Sequence, residues 1–209
     1  MSKSEPPNSQ RNPWTVLSRE VRYQNPWLRV VHHEVLRPNG SPGIFGTVEL
    51  TTVAVGVLPV AANGDTWLIG QWRFGAGRYS WEIVEGGIPQ AGPKALMPLA
   101  GAAEELREEA GLSAGCWLEI QRMDMSNSIS NEHAHLYLAW DLAEVPVAPD
   151  DTEQLTIRRL PLRAVLDMVL SGEIADAMTI AAVLRVRLMH LEGTLPPDVA
   201  PLVAAGFDA

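Results

Sequence analysis

One helical pattern, Pro98 to Ala110, stands between runs of strand character on both sides, and that arrangement leaves few folds open. The segment is Ala-rich, carries Pro at its first turn, and is followed by Gly111, the residue type that ends helices in a left-handed cap. Met97 offers no side-chain oxygen for the first amides. Before the helix, "VAVGVLPVA" and "TWLIGQWRF" read as a strand pair turned by Asn63-Gly64-Asp65, and "YSWEIVEGG" as one further strand ending in two glycines. After it, "CWLEIQRMD" and "AHLYLAWDL" resume strand character. "PLRAVLDMVLSG" and "IADAMTIAAVLRVRLMHLEG" then read as helices, each stopped by Gly. Strands flanking one helix, with later helices to cover the sheet, predict a mixed α/β layered domain.

The ends read differently. Residues 1–13 are polar and Pro-containing and read as a flexible tail. In 14–50, short alternating stretches such as "WLRVVHHEVL" and "FGTVEL", separated by Pro38-Asn39-Gly40, predict a β-hairpin. The main domain then covers 51–192, and the Pro/Ala-rich 193–209 reads as a loose C-terminal tail. No internal repeat is present.

Composition narrows the partners. The 209 residues carry a formal net charge of −9, with 46% apolar and 20% charged residues, a globular balance. An acidic chain does not suit a nucleic-acid polyanion, whereas a small phosphorylated ligand is acceptable if its charge is neutralised locally. Cys116 is the single cysteine, so no intramolecular disulfide forms and a reducing cytoplasm is the expected compartment. The start lacks the apolar core of a signal peptide, and the longest apolar stretch, near Val53 to Ala62, is short and contains Pro59. No membrane association is expected.

The chemistry concentrates in "GAAEELREEAGL", Gly101 to Leu112. Glu105, Glu108 and Glu109 stand at i, i+3 and i+4, so their carboxylates share one helical face. Like charges at this spacing repel unless a cation sits among them, and a hard divalent cation suits oxygen ligands. The alternative is a solvated acidic face partly compensated by Arg107. Ala102, Leu106 and Ala110 are expected to hold the opposite face in the core.

The context of that helix resembles a known family. Gly87 to Leu112 is similar to a Nudix box, whose second half matches as Glu105-Leu106-Arg107-Glu108-Glu109-Ala110-Gly111-Leu112. "QWRFGAGRYSWEIVEGG", "NPWLRVVHHEVLRPNG" and "SNSISNEHAHLYLA" resemble segments of the ADP-ribose and nucleotide-sugar pyrophosphatase branch of that superfamily. The chain departs from the box in two places. Glu104 stands where the box has Arg, and the loop after Gly87 is three residues longer, with Pro93, Lys94, Ala95 and Leu96 where the first box Glu falls.

The resemblance implies an α/β (α+β) fold, a Nudix-type α/β/α sandwich with a mixed sheet and an N-terminal β-hairpin extension. It implies a hydrolase that cleaves the pyrophosphate of a nucleoside diphosphate derivative, ADP-ribose or a nucleotide sugar, with Mg²⁺ or Mn²⁺. Glu105 and Glu109 are then the main metal ligands, Glu108 completes the acidic set, and the Gly86 carbonyl adds a backbone ligand. Glu108, Glu109 and Glu132 are the candidate catalytic carboxylates, with Glu132 as loop base or extra ligand. Arg73, Glu82 and Trp27 are the candidate substrate contacts, Arg73 for phosphate and Trp27 for stacking on a base. In that branch the N-terminal hairpin crosses to a second subunit, so a homodimer is expected. Glu104 keeps open a second reading, a Nudix-fold module that senses such a nucleotide without turning it over. His32, His33, His133 and His135 lack a matching ligand set and read as structural, and Cys116 reads as a buried small side chain.

Overall fold

The computed structural model describes residues 11–92, 95–146 and 154–208. The first ten residues of the expected tail, and Pro93 and Lys94 of the lengthened loop, lie outside them. The chain forms two compact units: one comprises residues 1–51 with 126–131, the other 52–125 with 132–209.

The first unit is a three-stranded antiparallel sheet, β1 (Thr15–Gln24), β2 (Leu28–Leu36) and β3 (Pro42–Leu50), in that order. The β2–β3 hairpin turns at Pro38-Asn39-Gly40, closed by Arg37 N–H to the Ser41 carbonyl at 2.9 Å. β1 extends the expected hairpin to three strands. Its residues are exposed along their whole length, so it has no buried face whose alternation would have announced it. Val31 and Val35 on β2 are buried, and Trp14 meets Phe45 edge-on at 5.6 Å. Residues 126–131 join this unit: Val48 N–H donates to the Ile129 carbonyl at 2.8 Å, and Leu50 N–H to the Asn131 side-chain oxygen at 2.7 Å.

Among the described residues, the second unit contains two sheets. β4 (Thr52–Pro59), β7 (Val84–Pro89), β8 (Leu112–Asp124) and β9 (His133–Glu144) form a mixed sheet ordered β7-β4-β9-β8, with β4 and β9 parallel and the other pairs antiparallel. β5 (Asp65–Arg73), β6 (Arg78–Glu82) and β10 (Thr156–Pro161) form an antiparallel sheet ordered β10-β5-β6. Two sequence expectations change here. β4 and β5 do turn at Asn63-Gly64-Asp65 but join different sheets, because β4 pairs with β7 and β9 while β5 pairs with β6 and β10. "YSWEIVEGG" is two strands, β6 and β7, and the chain passes from one sheet to the other at Ile83.

The period of two along the strands feeds two apolar layers. Leu136 and Leu138 of β9 enter one cluster with Leu58, Ile83 and the helices α2 (Leu162–Ser171), α3 (Ala177–Leu191) and α4 (Ala200–Phe207). Tyr137 and Ala139 enter the other with Val55, Val57 and α1 (Pro98–Ala110). This is the α/β/α layering the family resemblance implies. α1 has Met97 as its uncapped N-terminal neighbour and Gly111 at φ 64° as its left-handed C-cap. Ala102, Leu106 and Ala110 are buried, and burying one leucine contributes about 2 kcal/mol. The loose-tail reading of the C-terminus gives way to α4. Val199, Val203 and Phe207 are buried, and Arg187 stacks over the Phe207 ring at 5.0 Å. Its Pro and Ala content hid an apolar spacing that packs. No described helix is long and apolar enough to cross a membrane.

Candidate active site

The three acids of α1 have different fates. Glu109 is buried, and its Oε2 accepts the Glu85 backbone N–H at 3.0 Å. The Glu105 carboxylate lies against the Cα of Gly86 so closely that any side chain there would collide with it. Glu108 is half-exposed and takes the Arg107 guanidinium at 2.7 Å. Glu104, in the place of the box Arg, is exposed. The helix therefore presents two carboxylates to the Glu85-Gly86 turn and a third toward solvent.

A second group of charges adjoins the first. Arg73 donates from Nε and Nη2 to Glu82, at 2.6 to 3.0 Å, and from Nη2 to Glu85 Oε1 at 2.6 Å. Glu82 is almost wholly buried. Carboxylate oxygens of Glu82, Glu85 and Asp176 lie within 4.8 Å of one another, and Glu85 Oε2 is buried with no hydrogen-bond partner among the described residues. Burial, then the negative charges of Asp176 and Glu82, push the Glu85 carboxyl well above the usual range, against the pull of Arg73. Burial draws the Arg73 guanidinium down, but its bond to Glu82 and the charges of Glu85, Glu82 and Glu109 outweigh that and raise it. Arg73, a candidate phosphate contact, is thus already engaged by two carboxylates.

Glu85 and Asp176 were not among the residues singled out from sequence. A Glu inside the apolar run "WEIVEGG" was the available signal for the first. For Asp176 it was Asp three residues before Thr at the head of an apolar helix, a capping pattern. Asp176 is the N-cap of α3: its Oδ2 accepts both the Thr179 N–H and the Thr179 hydroxyl at 2.7 Å. Thr179 is fully buried, and its hydroxyl oxygen accepts the Ile83 N–H at 2.9 Å. Leaving that amide unpaired in the core would cost about 1–3 kcal/mol.

The remaining candidates fall as follows. Glu132 precedes β9, whose Ala134 pairs Ala54, which in turn pairs Gly87, so register brings Glu132 to the end of the sheet where β7 leaves toward α1. Trp27 lies in the first unit and is exposed. His33 pairs with Thr47 at 3.0 Å, His32 with Glu34 at 3.1 Å, and His135 with Glu119 at 2.5 Å, while His133 stacks edge-on His135 at 5.9 Å. Cys116 is half-buried rather than buried, packed against the α3 layer.

A divalent cation fits these residues. The cradle at Gly86, which a Cβ would fill, brings the Glu105 carboxylate onto the backbone of the glycine turn, and Glu109 is tied to the residue before it. Hard oxygen donors of this kind suit Mg²⁺ or Mn²⁺.

A layered α/β fold with an acidic helix face set on a glycine turn is the class that fold and site define. Residues 14–48 match the nucleoside diphosphate sugar hydrolase N-terminal domain. The chain is similar to the ADP-ribose pyrophosphatase of Mycobacterium tuberculosis (strain ATCC 25618 / H37Rv), with 36% identity over 135 residues, 64% of each chain. The match covers less than two thirds of that relative's length. Its fold matches the crystal structure of an ADP compounds hydrolase with a TM-score of 0.76, at 21% identity, over 93% of this chain and 100% of that one. The resemblance is borne out: the chain shares the fold of an ADP compounds hydrolase and is similar to an ADP-ribose pyrophosphatase and, over residues 14–48, to a nucleoside diphosphate sugar hydrolase N-terminal domain.

Proposed function

We propose that this protein hydrolyses the pyrophosphate bond of a nucleoside diphosphate linked to another moiety, ADP-ribose or a nucleotide sugar. The observation that carries the reading is the seating of Glu105 and Glu109 on the Glu85-Gly86 turn. The relatives support the substrate class, one being named an ADP-ribose pyrophosphatase and the other an ADP compounds hydrolase. Glu105, Glu109 and the Gly86 carbonyl would hold Mg²⁺ or Mn²⁺, with Glu108 completing the acidic set, and the ion would supply charge neutralisation at the diphosphate and polarisation of a phosphoryl oxygen.

The chain supplies positioning and proton transfer. Attack in line with the P–O bond needs an oriented water more than a covalent partner. Glu132 is the candidate base for the proton of that water, with Glu108 and Glu109 as the other catalytic carboxylates. Glu82 and Glu85 hold the Arg73 side chain, whose remaining donor capacity faces a phosphate. Trp27, exposed on the N-terminal sheet, stacks on the base, and that sheet crosses to a second copy in a homodimer. A reducing cytoplasm fits the single Cys116, and the net charge of −9 disfavours nucleic acid as substrate.

The test is a panel of diphosphate substrates incubated with Mg²⁺ or Mn²⁺, with release of monophosphates measured. Turnover of ADP-ribose or a nucleotide sugar supports the reading. Tight binding with no product from any of them would move the assignment to a ligand-sensing module, the reading that Glu104 in place of the box Arg keeps in view.

A further inference from the structure

The two helical layers are joined through the sheet by a short run of hydrogen bonds that ends on a proposed metal ligand. It begins at Asp176, whose Oδ2 accepts both donors of Thr179 at 2.7 Å. The Thr179 hydroxyl, its own proton given to Asp176, is left with its oxygen to accept the Ile83 N–H at 2.9 Å. Ile83 is the single residue between β6 and β7, and the ladder partners stop at Glu82 on one side and start again at Val84 on the other. With no strand beside it to take its amide, the crossing is held by a side chain. Glu85 follows two residues later, and its N–H is the group bound by Glu109 of α1.

The crossing sets more than one amide. Glu82 immediately precedes it and receives Arg73, while Ile83 enters the α3 layer and Val84 the α1 layer. A rotation of the backbone at Ile83 therefore moves the Glu82 carboxylate, the Glu85 N–H and the Gly86 cradle together. Thr179 is fully buried, and its hydroxyl has both of its bonds committed to this arrangement.

We propose that the N-terminal cap of α3 is a positioning element of the hydrolytic site, with Asp176 orienting the Thr179 hydroxyl and Thr179 fixing the Ile83 crossing that places the Glu85-Gly86 turn under Glu105 and Glu109. This rests on the reading of α1 as the metal-bearing helix. Thr179 acts through the backbone, by way of the Ile83 N–H.

Thr179→Val keeps the shape and removes the hydroxyl, Thr179→Ser keeps the hydroxyl, and Val186→Ala opens a cavity further along α3, away from the crossing. Each is compared with the wild type for kcat and KM on the substrate found in the panel, for Mn²⁺ affinity by electron paramagnetic resonance, and for melting temperature. T179V loses at least about tenfold in kcat and about tenfold in Mn²⁺ affinity with KM little changed, since small displacements of positioned groups cost that much or more. T179S restores both, and V186A lowers the melting temperature without lowering kcat. Retention of kcat and Mn²⁺ affinity by T179V overturns the proposal, as does an equal loss in V186A. Should T179V not fold, Thr179→Ala also removes the hydroxyl, leaves the Asp176 carboxylate in place beside Glu82 and Glu85, and carries the same expectations. Failure of the wild type to turn over any substrate counts against the proposed function instead, and the Mn²⁺ measurement then decides the positioning role alone.

Discussion

The Glu109 carboxylate is bound to the backbone N–H of Glu85 at 3.0 Å, while the Glu85 carboxylate turns away from it onto Arg73. One strand residue thus anchors the acidic helix through its backbone and the strand arginine through its side chain. The consequences are open to measurement.

Glu109→Gln removes a charge from the proposed metal-bearing face of α1 yet leaves an oxygen for the Glu85 amide. Turnover with Mg²⁺ falls by at least about a hundredfold with the circular-dichroism spectrum unchanged. Near-wild-type turnover by the purified variant would remove α1 from the metal site.

Glu104→Arg restores the box residue on an exposed position of α1. Exchanging repulsion for attraction beside Glu105 and Glu108 raises kcat or lowers the Mg²⁺ concentration for half-maximal rate. A neutral result would show that Arg107, already on Glu108, fills that role.

Glu85→Gln reads the burial of a carboxyl whose native pKa is raised by desolvation, Asp176 and Glu82. A raised native pKa means that the folded state binds the proton more tightly. The stability this contributes is present below the unfolded pKa and is lost as pH rises through the folded value. In metal-free buffer the substitution therefore stabilises the fold at about pH 8 and does little near pH 4. Denaturant midpoints at the two pH values decide it, and an equal shift at both contradicts the burial account.

Glu119 carries the opposite sign. Its bond to Arg122, helped by His135, holds its carboxyl down at about 2, below the ordinary 4.5. The stability it contributes is full above the unfolded pKa and is lost as pH falls from that value toward the folded one. Glu119→Gln flattens the acid limb of the stability profile in that window, whereas an unaltered limb would locate the acid sensitivity elsewhere.

The dimer is tested by deletion. On the proposed dimer, wild-type protein is expected to sediment as a homodimer, and removal of residues 1–50 to abolish both dimerisation and substrate binding. A fully active monomer at micromolar concentration would exclude a site shared between subunits.

What was legible in the sequence was local. The limits of α1 were readable because Pro98 and Gly111 act on their own backbone, and Glu105 and Glu109 because helical spacing fixes which residues share a face. The pairing of β4 with β5 was misread because a turn at Asn63-Gly64-Asp65 does not say which sheet each strand joins. That choice was made by β7, β9 and β10, through partners remote in sequence. Ile83 carried no sign of a crossing, since an isoleucine between two strands looks like strand. Asp176 joined the acidic group only through the packing of α3, which no spacing near Glu82 or Glu85 encodes. Glu104 was legible as a departure, and its exposure in the structure leaves its effect on rate to the substitution above.

The N-terminal sheet has an unusual dependence on the order of synthesis. Leu50 donates to Asn131 and Val48 to Ile129, so the last strand of the first unit is completed by a segment 81 residues further along the chain. During translation the three strands leave the ribosome well before that segment exists, and β3 waits with part of its hydrogen bonding unmet. Contacts of such long separation are slow to form, and a waiting strand edge is open to pairing with another chain. A nascent chain stalled before residue 126 would therefore be the species most exposed to wrong intermolecular pairing, and chaperone binding would fall as residues 126–131 emerge.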